Sequence, residues 1–212
     1  MFQHGRLLPV VCLLITGSLA APKPHIIVLG PRRVVKTSDL PARTLNIRRL
    51  FIDGRSKEYT TGPAHEVTDR LFVIERAVRL NDSLPNEPGK TPRWTWQADG
   101  WISVDRSTGH IAQLVLPAYD PLVSEPSWYR DYAAYCGASD DGSKVYMIVS
   151  QLGTRKPVVK KAYVGQSCPA PRWERGPTRV TFSPADGPTV TFAVQGRSAD
   201  RQDNAAEEEV PQ

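Results

Sequence analysis

The chain has 212 residues, with 19 prolines, 23% charged residues and a formal net charge of +5. Proline at that density, spread along the chain, leaves few places for a long helix and excludes a fold built from long helices. The charge surplus suits an acidic partner, a polyanionic surface or nucleic acid, and it equally suits a basic surface that keeps a protein in solution.

The N-terminus has the plan of a secretory signal peptide: Arg6 supplies the positive start, Leu7 to Ile15 the apolar stretch, and Ser18-Leu19-Ala20 a small-x-small cleavage site. Cleavage is expected after Ala20, with Ala21 the alternative. The apolar run is far shorter than the ~20 residues a helix needs to cross a bilayer, and Pro9 interrupts it. No transmembrane anchor is therefore expected, and the mature chain should be periplasmic or secreted. Residues 21–196 then form one β domain, and 197–212 an unstructured acidic tail. That tail sets two arginines against five acids, which leaves +7 on the body between Ala21 and Gly196.

Short β-rich runs alternate with turn chemistry from His25 onward. Ile26 to Leu29, Arg33 to Lys36 and Leu45 to Ile52 are the first expected strands, the last leading into Asp53-Gly54, a hairpin signal, with Glu58-Tyr59-Thr60-Thr61 returning. Between Val67 and Leu80 helical and strand patterns compete, and the β-branched crowding at Phe72 to Ile74 favours a strand. Asn81 to Thr91 reads as a loop. Trp94 and Trp96 then share a strand face, Asp99-Gly100 is expected to turn the chain, Trp101 to Val104 returns, and Ile111 to Leu116 adds a third strand. Asp105 should accept from backbone N–H groups two and three residues on, and Gly109 can take positive φ.

Trp128 to Cys136 reads as one strand rich in aromatics. Ser139-Asp140-Asp141-Gly142 turns it back into Lys144 to Ser150, whose apolar residues fall on both faces. Pro157 to Tyr163, Thr178 to Phe182 and Thr189 to Val194 complete the pattern. The basic run Arg155-Lys156-Pro157-Val158-Val159-Lys160-Lys161 fits an edge strand guarded by lysines and a proline, which discourage edge-to-edge pairing. The fold class is all-β: antiparallel hairpins and meanders in a sandwich or barrel. Asp-Gly pairs ending at Gly54, Gly100, Gly142 and Gly187 are 46, 42 and 45 residues apart, a spacing that also fits propeller blades. About eleven to thirteen strands fall short of the ~16 of four full blades, so a small or partial propeller is the minor alternative.

The turns Val104-Asp105-Arg106-Ser107-Thr108-Gly109-His110-Ile111 and Ser139-Asp140-Asp141-Gly142-Ser143-Lys144-Val145-Tyr146 resemble those that join strands in propeller blades. More broadly, Phe51-Ile52-Asp53-Gly54, Trp101-Ile102-Ser103-Val104-Asp105 and Ser127-Trp128-Tyr129-Arg130-Asp131-Tyr132-Ala133-Ala134-Tyr135-Cys136-Gly137 are similar to a family of uncharacterised exported bacterial proteins. That resemblance implies export and carries no activity.

Two cysteines follow the leader, Cys136 and Cys168, and an oxidising compartment makes a disulfide between them the expected state. Neither C-x-x-C nor G-x-S-x-G occurs, since Gly165-Gln166-Ser167-Cys168 fails at the final glycine. His65-Glu66-Val67-Thr68-Asp69 begins like a zinc-protease helix but carries Asp69 where the second histidine belongs. No metal, cofactor or catalytic residue is expected on these grounds. The aromatic and charged cluster Trp128, Tyr129, Arg130, Asp131 and Tyr132 is the candidate ligand site, because flat rings beside hydrogen-bonding charges suit a sugar or peptide cleft. The expected function is an exported, non-enzymatic binding or structural module for a polysaccharide, a peptide or an anionic envelope polymer, nucleic acid being the less expected partner. The alternative is a hydrolase of such a polymer, with Asp120, Glu125 and Asp131 as its candidate acids, since glycosidic chemistry needs two carboxylates ~5 to 10 Å apart.

Overall fold

A computed structural model describes residues 23–37, 42–81, 83, 92–121, 124–163, 170–176, 178–184, 187–196 and, for the backbone only, 198–202. Every regular element among them is a strand, and every pairing is antiparallel. The all-β expectation holds. Three meanders follow one another along the chain.

The first sheet contains β1 (Ile27–Leu29), β2 (Arg33–Lys36), β3 (Thr44–Ile52), β4 (Arg55–Glu66), β5 (Leu71–Asn81), β6 (Trp94–Asp105) and β7 (Ile111–Leu114). Its order is β1-β3-β4-β5-β6-β7, and β2 pairs with the other half of β3. Asp53 and Gly54 both have positive φ, +50° and +76°, the backbone of a two-residue type I′ hairpin. Asp105 accepts from the N–H groups of Ser107 and Thr108 at 2.6 and 3.1 Å, as its sequence position requires. The sheet curls until His25 N–H, just ahead of β1, reaches the Arg106 carbonyl in the β6–β7 turn, yet it does not close into a barrel. Leu50, Phe72, Ile74, Ile102 and Val104 fill the inside of that curl.

Asp99-Gly100 corrects one expectation. The chain does not turn there: β6 runs from Trp94 to Asp105, and the pair forms a bulge where Glu75 faces Trp101 and Ala77 faces Ala98. Arg76 meets Asp99 at 2.7 Å and holds the bulge. Gly54 and Gly100 therefore belong to one sheet, so the Asp-Gly spacing does not mark blades.

The second sheet, ordered β11-β10-β9-β8, comprises β8 (Ser127–Tyr129), β9 (Tyr132–Ala138), β10 (Val145–Gln151) and β11 (Val159–Tyr163). Here too a correction is needed, because Trp128 to Cys136 is a hairpin: Tyr129 pairs with Tyr132, and Arg130 turns the chain at φ +50°. The basic run supplies β11, which is an edge strand as expected. In the third sheet, β12 (Arg172–Arg175), β13 (Thr178–Phe182), β14 (Val190–Gln195) and β15 (Ser198–Gln202) pair in chain order. Its last strand enters residues that the sequence assigned to the unstructured tail.

Strands β9 and β10 are buried on both faces. One face, with Ala134, Cys136, Met147 and Val149, packs on Val180, Phe182, Phe192 and Val194 of the third sheet, so these two sheets form a sandwich. The other face, with Ala133, Tyr135 and Ile148, is covered by Leu116, Ala118, Tyr119 and Trp128. The segment between β7 and β8 runs along the edge of β9 that short β8 leaves open: Ala138 N–H donates to the Ala118 carbonyl at 3.0 Å, and Tyr119 bridges to Gly137. A methyl group at Gly137 would lie 2.2 Å from that carbonyl and 2.8 Å from Ile148 Cδ1. Gly137→Ala should therefore destabilise the fold by about 1–3 kcal/mol, read as a Tm several degrees lower in thermal denaturation.

Candidate functional site

The residues expected to form one ligand site do not converge. Alternation along β8 and β9 sends Trp128 towards the first sheet, while Tyr129 and Tyr132 face the third. Tyr129 stacks on Trp173 with ring centroids 5.5 Å apart, and the Tyr132 hydroxyl donates to the Gly196 carbonyl at 2.6 Å. Burial raises the Tyr132 pKa, and the neighbouring Asp131 charge adds to the rise. Arg130 lies over the Tyr129 ring, and Asp131 accepts from Gln151 Nε2 at 2.8 Å, so both charged residues serve the hairpin. Cys136 is fully buried in β9, and Cys168 lies outside the described residues.

Trp128 instead joins residues of the first sheet. A cleft of about 370 Å³ opens between the two sheets, lined by His65, Glu75, Trp101, Glu125 and Trp128 among others. Trp128 stacks against His65 at 5.8 Å and leans on Trp101 at 5.1 Å. The His65 Nε2–H donates to the Arg130 carbonyl at 2.8 Å, which fixes the ring and ties β4 to the β8–β9 turn. His65 and Glu66 end a strand, so the zinc-helix geometry does not arise, and among the described residues no three His, Cys, Asp or Glu side chains are grouped to hold a metal.

Glu75 is the chemical centre of the cleft. It alternates with Val73 and Ala77 on one face of β5 and is 6% exposed. Desolvation raises its pKa to about 7; the Arg43 charge opposes that rise and the Glu125 charge adds to it. Its Oε1 is buried without a hydrogen-bond partner, and so are the indole nitrogens of Trp101 and Trp128. The Tyr119 hydroxyl lies beside Trp101, where burial pushes its pKa up to about 12, but no hydrogen bond of ordinary geometry joins the two. Unpaired buried polar atoms each cost on the order of 1–3 kcal/mol, and four in one neighbourhood is a concentration that packing alone does not require.

Glu125 reaches the cleft by a different route. The Ser124 hydroxyl donates to the Cys136 carbonyl at 3.1 Å and accepts from Cys136 N–H at 2.7 Å, imitating a strand partner on the open edge of β9. That pair of hydrogen bonds between Ser124 and the main chain pins the next residue beside the first sheet. Arg43, just before β3, approaches Glu125 Oε1 at 3.5 Å. Of the three acids expected from sequence, Glu125 alone lines this cleft: Asp131 stays in its hairpin, and Asp120 lies in the segment that runs along the edge of β9.

Sequence reasoning missed Glu75 and Arg43. A signal for Glu75 was present: it is the one acid inside the apolar run Leu71 to Ala77, where a charged side chain on a buried face needs a reason. Arg43 carries no comparable local sign. No family model, curated protein or solved structure matches the chain, so the functional reading rests on this geometry.

The raised pKa fixes the direction of a pH effect. Between about pH 4.5 and 7 the unfolded chain releases the Glu75 proton while the folded chain keeps it, so stability falls as pH rises through that window, by roughly 3 kcal/mol at most. Glu75→Gln should remove this decline, leaving Tm similar to wild type at pH 4.5 and higher than wild type at pH 8.

Proposed function

We propose that this protein is an exported binding module that seats a hydroxyl-rich segment of an envelope or extracellular polysaccharide in the cleft between its first two sheets. The observation that carries this reading is that the Glu75 carboxyl oxygen and the indole N–H groups of Trp101 and Trp128, all on residues lining one cleft, have no hydrogen-bond partner. A sugar supplies what they lack: hydroxyls donate to the carboxyl and accept from the indoles, and the pyranose face stacks on the rings. Export rests on the leader-like N-terminus, with cleavage after Ala20. In an oxidising compartment Cys136 pairs with Cys168, and closing a loop of about 30 residues stabilises the fold by roughly 3 to 4 kcal/mol in the chain-entropy model. The mature protein, denatured without reductant, should then offer no thiol to an alkylating reagent, and two after reduction.

Glycan-array or affinity-electrophoresis measurements test the cleft. Trp128→Phe keeps an aromatic ring and deletes the indole donor, and it should weaken retention of the bound glycan about tenfold while leaving Tm within a few degrees. Unchanged retention in that folded variant would remove the cleft from the function.

A second reading follows from one observation, a carboxyl poised near neutrality with a second carboxylate, Glu125, lining the same cleft. Glycoside hydrolysis uses such a pair, the raised one as general acid. Reducing ends released from a polysaccharide by the wild type, and lost in both Glu75→Gln and Glu125→Gln, would select hydrolysis over binding alone.

A further inference from the structure

The face of the first sheet that carries Glu75 continues past the cleft. Along β5 the alternation runs Glu75, Ala77, Arg79, and across the strands Arg79 pairs with Trp96, Arg49 with Tyr59, and Arg33 with Ile47. Leu45, Ile47 and Ala77 form a small core there, with Val35, Tyr59 and Trp96 packed against it. Above that core arginine and aromatic side chains form a continuous row. Arg49 lies 5.4 Å from the Tyr59 ring centre, and Tyr59 meets Trp96 edge to face at 4.9 Å. Arg79 then bridges Trp96 at 6.0 Å and Trp94 at 5.5 Å. Trp94 is 52% exposed at the end of the row.

Charge on this face is one-sided. Arg33, Arg49 and Arg79 are exposed, and neither Arg49 nor Arg79 forms an ion pair among the described residues. From Glu75 towards Asn81, no aspartate or glutamate of β2 to β6 shares the face in register, and Asp99 in the bulge is taken by Arg76. Guanidinium groups held on ring faces keep their N–H edges free for an anion, so the row presents fixed donors with little rotamer freedom left to lose. The net charge of +7 on the body gives the same sign at longer range.

We propose that this row is a docking strip for an acidic polysaccharide, with its carboxylate or sulfate groups on Arg49 and Arg79 and one sugar ring on the open face of Trp94. Single-stranded nucleic acid fits less well. Such strands use successive exposed rings, one for each base, whereas Tyr59 and Trp96 are half-buried against Leu45, Ile47 and Ala77, so Trp94 is the ring left for stacking. The strip begins roughly 13 Å from Glu75, four residues along β5, so an extended chain could occupy strip and cleft together. The strip's own affinity does not depend on the cleft reading.

Binding of the full mature chain to polygalacturonate, neutral dextran and oligo-dT, followed by affinity electrophoresis at low and physiological salt, tests this. The expected result is retention by polygalacturonate that weakens with salt and falls at least tenfold in Arg49→Gln/Arg79→Gln, with dextran inert towards the strip. Trp94→Ala, at an exposed position, should lower retention about threefold to tenfold without a change in Tm. Lys156→Gln, an exposed basic position outside both strip and cleft, should leave polygalacturonate retention above half of wild type, and a loss confined to the double arginine variant reports the strip whereas a loss confined to Trp128→Phe reports the cleft. Equal retention of wild type and the double arginine variant overturns the proposal, and so does oligo-dT binding as tight as polygalacturonate with the same dependence on Arg79.

Discussion

The arrangement depends on one constraint: β9 and β10 are apolar on both sides. A strand pair of that kind cannot be an outer layer, because each uncovered face would leave large aliphatic and aromatic area in water. The third sheet covers one side with Val180, Phe182, Phe192 and Val194. On the other, the segment between β7 and β8 does so together with Trp128 of β8, on which Trp101 of the first sheet leans. The cleft lies where this second cover is incomplete, since Trp101 and Trp128 touch at one edge and the space beside them stays open.

Much of the fold was legible because its signals are local. Asp53-Gly54, Asp105 and Ser139 to Asp141 each fix a turn through their own backbone or the next few N–H groups. The edge position of β11 was readable from its lysines and from Pro157 just ahead of it for a similar reason. Asp99-Gly100 has the same dipeptide as a hairpin, but β5 pairs with β6 on both sides of it, so the pair is absorbed into a bulge instead of ending a strand. Arg130 bears no turn signature at all; what makes it turn is that Tyr129 and Tyr132 both gain by packing on Trp173.

The site was less legible, for a physical reason. Its parts come from β4, β5, β6, the residue before β3 and the approach to β8, and the proximity of Arg43, Glu75 and Glu125 is created by sheets packing, with no spacing in the chain to announce it. Trp128 stands among the candidate ligand residues of the sequence, yet its neighbours in space are His65 and Trp101 instead of Tyr129 and Tyr132. Period-two alternation already separates residues 128 and 129, so treating the segment as one cluster overlooked the pleat.

Ser124 fastens Glu125 to the middle layer, whereas Glu75 is built into the first. The gap between the two carboxyls is thus set by how closely one layer rests on another, with no shared strand to act as a ruler. A small slide or tilt of the layers would retune the site while both meanders kept their hydrogen bonds, so the chemistry here is less durable than the architecture that houses it.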